Sequence, residues 1–74
     1  MSPVELGQAV RGARVRVRLQ QADLALRVGV SRMTISRLER GEAVSTETAM
    51  RCLSECGYGL VVVPKFSRVE VHDA

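Results

Sequence analysis

Apolar residues recur at helical spacing through most of the chain, and the pattern changes only near the end. Leu6, Val10, Ala13 and Val17 lie four, three and four apart, which predicts one buried face of a first helix. Ser2-Pro3-Val4-Glu5 predicts its start: Ser2 caps, Pro3 suits the first helical position and Glu5 completes a capping box. A shorter helix is predicted over 21–28, with Leu24, Ala25 and Val28 facing inward. Gly29 then supplies the positive φ of a sharp turn. Ser31 caps a third helix that runs to about Arg40 and stops at Gly41. Ser45 or Thr46 opens a fourth, with Ala49, Leu53 and Cys56 as its stripe and Gly57 as its end.

Beyond Gly57 the period shortens. Leu60, Val61, Val62 and Val63 are apolar on both faces and mostly β-branched, so they predict a strand, ended by Pro64. Residues 68–72 alternate weakly, as either a second strand or a loose tail. The expected organisation is a mainly α domain over 1–57, a strand within 58–64, and a tail or second strand over 65–74.

Length limits what such a domain can do alone. Seventy-four residues make one domain, and a chain this short buries only about 60% of its unfolded surface, so it gains from a partner. One Tyr, one Phe and no Trp argue against a nucleic-acid site built on stacked aromatic rings. The longest aliphatic run is 60–63 and the N-terminus lacks a basic stretch followed by an apolar one, so neither a membrane segment nor a signal peptide is expected. A cytoplasmic protein is the default. Cys52 and Cys56 are four apart on a predicted helix, which suits buried packing; with only the distant His72 they make no zinc set. No carboxylate pair or nucleophile–base set is evident, so neither an enzyme, a cofactor nor a small-molecule ligand is expected.

Charge changes the picture once it is located. The chain carries a formal +3. Residues 1–44 hold eight Arg and four acidic residues, whereas residues 45–74 hold three basic and four acidic ones. The positive field therefore belongs to the first half, as in a polyanion-binding region with a neutral appendage. All basic residues but Lys65 are Arg, which suits bidentate phosphate and guanine contacts and is equally what a codon bias would produce. Arg14, Arg16 and Arg18 near the end of the first helix complement its dipole and need no other explanation.

The third helix is the most telling segment. At 100° per residue, Arg32, Met33, Ser36, Arg37 and Arg40 fall within an arc of roughly 140°, with Ile35 and Leu38 opposite. An ordinary solvated surface would also be charged. Yet Arg32 stands in the first turn, where the dipole disfavours a cation by roughly 0.3–1 kcal/mol, and Glu39 is the one acid nearby. A face selected for solubility alone would mix its charges.

From Leu6 to Gly41 the sequence resembles the Cro and phage-repressor class of helix-turn-helix proteins. The matching residues are Leu19-Gln20-Gln21, Leu24-Ala25, Val28-Gly29-Val30-Ser31, Ile35-Ser36, Leu38-Glu39 and Gly41. The resemblance implies a lambda-repressor-like domain of four to five helices with a C-terminal β-strand. It implies that Arg32, Met33, Ser36 and Arg37 read base edges, with Arg37 or Arg32 taking guanine, while Gln21, Thr34 and Arg40 contact phosphate. Gln21 is further expected to brace the start of the third helix, and Arg14 to pair with Glu39. Two positions depart from the pattern. Gln20 stands where Thr or Asn is common, which weakens a cap, and Arg18 stands where Gly is common, which puts the first turn's geometry in question.

Residues 45–64 resemble HipB-like antitoxins more loosely, through a helix ending in glycine that leads to one strand. That resemblance implies that Leu60, Val61, Val62 and Val63 pair with their equivalents in a homodimer. An intramolecular hairpin with residues 68–72 is the rival, and the two can share one sheet. The leading expectation is an antitoxin that represses its own operon at a pseudo-palindromic DNA operator and neutralises a HipA-like kinase toxin. The alternatives are a stand-alone phage or host repressor, and a protein-interaction adaptor that has lost DNA binding.

Overall fold

The computed structural model describes residues 2–61 and 70–73. They form four helices, α1 (Pro3–Arg16), α2 (Gln21–Val28), α3 (Arg32–Glu39) and α4 (Thr46–Glu55), followed by strands β1 (Tyr58–Val61) and β2 (Glu70–Asp73). The helices start where a side-chain oxygen can take up an orphan backbone N–H. Ser2 Oγ accepts from Glu5 N at 3.1 Å while Glu5 accepts from Ser2 N at 3.2 Å. This backbone donor holds the Glu5 carboxyl below its usual pKa. Ser31 and Ser45 cap α3 and α4 through Thr34 N and Thr48 N, at 3.1 and 3.2 Å. Each such cap contributes about 1 kcal/mol. At α2 the Asp23 carboxylate accepts from Gln20 N at 2.9 Å, so an acid at the third helical position serves where the residue at Gln20 caps poorly.

Glycine ends the two helices of the central motif: Gly29 (φ 85°) follows α2 and Gly41 (φ 81°) follows α3. α1 ends differently. Arg18 adopts φ 59°, the left-handed geometry a glycine would take without strain, so the turn keeps its shape at a cost of roughly 1–2 kcal/mol. The same turn corrects one expectation. Val17 is 43% exposed rather than buried, because α1 ends at Arg16 and the helical period stops one residue short of it.

The core is Val10 and Ala13 of α1, Leu24, Ala25 and Val28 of α2, Ile35 and Leu38 of α3, and Ala49, Cys52, Leu53 and Cys56 in and after α4. Leu6, Leu19, Val30, Val44 and Tyr58 pack around its rim. Both cysteines are free thiols packed in this core. Burial pushes Cys52 up to about 11 and raises Cys56 as well, so neither carries the thiolate character that reactivity requires. Gly7 lets α1 lie directly on the end of α3: a Cβ there would overlap the carbonyl oxygens of Leu38 and Glu39.

β1 and β2 pair antiparallel, with Tyr58 opposite Asp73, Gly59 opposite His72, Leu60 opposite Val71 and Val61 opposite Glu70. Leu60 and Val61 thus pair within the chain, as the rival hairpin has it, and β1 starts at Tyr58. Val62, Val63, the Pro64 stop and residues 65–69 lie outside the described residues. The physical reason for the hairpin is loop closure: a connection over 62–69 costs little to close, and its partner strand is always at hand. The pairing uses one edge of β1, and the two-stranded order leaves its other edge unpaired among the described residues.

These contacts make opposite predictions for two glycines on one helix. Gly7→Ala is expected to destabilise by about 1–3 kcal/mol, because the new methyl meets backbone rather than a movable side chain. Gly12→Ala, whose Cβ would meet nothing within 4 Å, is expected to stabilise by about 0.5–1 kcal/mol through helix propensity. Arg18→Gly should raise stability by up to about 1 kcal/mol through relief of the left-handed strain. Urea unfolding at one fixed protein concentration checks all three.

Candidate nucleic-acid interface

Two short helices and a three-residue turn present one face of α3 to solvent. Gly29 N and Val30 N both donate to Ala25 O, at 2.8 and 3.0 Å, which closes α2 and reverses the chain. Ala25 is 3% exposed; its single methyl is what allows α2 and α3 to cross closely. Ile35 and Leu38 then anchor α3 from beneath, so the opposite arc faces outward.

That arc holds the expected base-reading set. Arg32, Met33 and Arg37 are exposed and Ser36 is half-buried, and all four share one side of eight helical residues. Among the described residues Arg32 and Arg37 form no ion pair. Arg32 is the first residue of α3 and no acid stands in that first turn, so its charge is not offset by the helix itself.

The three expected phosphate contacts are held differently. Gln21 donates from Nε2 to Glu39 Oε1 at 3.2 Å. It therefore braces the last turn of α3, not the first as expected, because it projects from the start of α2 toward the buried Glu39. Thr34 is half-buried with its hydroxyl 3.0 Å from that of Ser31. Arg40 is the C-cap of α3 and donates from Nε to Glu42 at 2.7 Å, with both side chains at least half exposed. The sequence reading missed Glu42. Its signal was present in the Gly41 turn, which returns the chain beside Arg40.

Behind the face lies the expected pair of Arg14 and Glu39. Arg14 Nε and Nη2 reach the two carboxylate oxygens at 2.7 and 2.9 Å, and Nη1 donates to Leu19 O at 2.9 Å. The side chains are 12% and 4% exposed. Glu39 raises the Arg14 guanidinium further above its already high pKa, so the charge is permanent. One carboxylate thereby ties α1, the turn after it, α2 and α3 together.

Breaking this pair from one side is expected to cost about 3–5 kcal/mol, because Arg14→Met strands a buried carboxylate. Arg14→Met combined with Glu39→Leu should recover most of that loss, since an apolar pair leaves no orphaned charge. Denaturant midpoints of the single and double variants test the claim, and an equal loss in both would count against it.

A helix-turn-helix family model matches residues 10–63, well over half of the chain. Among curated proteins none matches the chain. The match spans the second half of α1, the α2–turn–α3 unit, α4 and the start of the hairpin. The chain therefore belongs to the Cro/C1-type helix-turn-helix family of DNA-binding transcription regulators, with α2 and α3 as the pair of helices in its name.

Proposed function

We propose that this protein is a sequence-specific repressor that lays α3 in the DNA major groove and acts as a homodimer on a pseudo-palindromic operator. The observation that carries the reading is the outer face of α3: two exposed arginines, without ion pairs among the described residues, flank Met33 and Ser36 on a rigidly anchored helix. Arginine reads guanine through O6 and N7 with a fork that matches both acceptors. Arg32, Met33, Ser36 and Arg37 read bases, while Gln21, Thr34 and Arg40 meet phosphate. The adaptor alternative has no need for this face to keep its unpaired cations. For the homodimer, support comes from the second edge of β1, unpaired among the described residues, since an open edge is a template for another strand.

Within this reading the protein serves as the antitoxin of a toxin–antitoxin module, with a HipA-like kinase as partner. Its support is the order of elements: α4 closes at Gly57 (φ 82°) and β1 begins at the next residue, which is the arrangement that resembles HipB-like antitoxins. A stand-alone repressor shares every DNA-facing feature, so co-purification from the native host separates the two, and only an antitoxin retains a kinase partner.

Selection of bound sequences from a random duplex library at two salt concentrations is expected to yield a two-fold-symmetric motif. Arg37→Ala should then weaken operator binding by about 1–3 kcal/mol and leave random-duplex binding far less changed. An equal loss on both duplexes would restrict Arg37 to phosphate and remove it from the reading set.

A further inference from the structure

α3 ends in a turn that returns an acid to its own DNA-facing side. Gly41 N donates to Leu38 O at 3.0 Å and Glu42 N donates to Arg37 O at 2.9 Å. Together with the left-handed Gly41 these form a Schellman motif, which fixes the Glu42 backbone against the last turn of the helix. Gly41 is itself wedged against Val4 of α1, where a Cβ would come within 2.8 Å of the valine side chain. The position of Glu42 is thus set by packing and not by a flexible loop. Its carboxylate stands beside the carbonyl end of a helix, where an anion is disfavoured, and it meets Arg40 Nε at 2.7 Å.

Arg40 belongs to the same arc as Arg32, Ser36 and Arg37. The Arg40 side chain is 58% exposed and that of Glu42 is 50% exposed, so the pair lies at the surface, where a phosphate oxygen can compete for the same donors. A carboxylate and a phosphate present equivalent acceptors to a guanidinium. We propose that Glu42 is a built-in competitor of DNA phosphate for Arg40, which lowers the affinity of the protein for DNA of any sequence. The inference rests on the reading of α3 as the DNA-facing helix. Arg32 and Arg37, which have no such competitor among the described residues, keep their full charge for base edges. Sequence-independent attraction is thereby trimmed at Arg40 and left intact at the residues that discriminate.

A double-mutant cycle on the full chain, with a random-sequence 20-base-pair duplex as probe, tests the assignment. Glu42→Gln is expected to tighten binding by about twofold to fivefold, the scale of one exposed ion pair. It should also steepen the dependence of log K on log salt by about 0.9, one additional phosphate neutralised. In an Arg40→Gln background the same Glu42→Gln change is expected to do nothing, because the cation that the acid competes for is gone. Equal tightening in both backgrounds would overturn the proposal, since it would mark a general effect of net charge. No tightening in either background would overturn it as well. Failure of the wild-type chain to bind any duplex at low salt would instead sink the reading of α3, and this inference with it. Thermal unfolding of each variant verifies that these exposed substitutions leave the fold intact.

Discussion

The arrangement of this molecule depends on the charge pair between Arg14 and Glu39, nearly removed from water. Desolvating two charges consumes most of what their attraction returns, so the pair adds little net stability over an apolar one. What it adds is direction. A bidentate contact has one geometry, and here the remaining donors and acceptors are claimed too, by Leu19 O and Gln21 Nε2. Hydrophobic contacts among Val10, Leu24 and Ile35 would tolerate a small rotation of α3 about its axis. The ion pair does not, because rotating Glu39 breaks several charge-assisted bonds at once. Gly7 acts in the same place, admitting the α1 backbone onto the last carbonyls of α3. The outer face of α3 is therefore aimed by its C-terminal end, while its N-terminal end is fixed by the Ser31 cap.

The electrostatic layout follows from that placement. Glu39 is one of four acids in the first 44 residues and it is spent inward, on Arg14. Asp23 is used on Gln20 N and Glu5 on Ser2 N, both at helix starts where a carboxylate is favoured. Glu42 alone reaches the outer side of α3. Every acid in the first 44 residues thus has a structural post, which leaves the positive field of the arginines uncancelled over most of the outer face of α3.

Much of this was legible in the residues because local chemistry and tertiary packing agree. Ser2, Ser31 and Ser45 cap as their hydroxyls predict, Gly29 and Gly41 turn the chain with positive φ, and Ile35 and Leu38 point to the core. What was not legible depends on partners distant in sequence. Val17 fits the period of α1, yet the chain leaves the helix at that residue to reach α2, and a periodicity does not announce its own end. At Arg18 sequence favours an ordinary turn, and the fold imposes φ 59° regardless. Gln21 bonds Glu39 across 18 positions, a link no local pattern encodes. The strand was legible as a strand, whereas its mate was not. Apolar residues on both faces say that pairing is needed and leave open whether the partner is 70–73 or another chain.

Eight residues of α3 span about 12 Å, which matches the width of a major groove. Four side chains on such a helix reach roughly four base pairs, and each good contact discriminates by about 1–3 kcal/mol. A word that short recurs by chance roughly once in a few hundred base pairs, so one copy of this domain cannot pick out a site among the competing sequences of a genome. Lengthening the helix would not help, because a straight helix diverges from the curved groove. Repetition does help: two copies square the discrimination without any change to the reading face. The positive charge works against this gain, since attraction to phosphate strengthens binding to every sequence alike. A domain of this size therefore gains selectivity by adding a second copy and by restraining the cations that contact only phosphate. A β1 edge left unpaired among the described residues and a carboxylate held on Arg40 are features suited to those tasks.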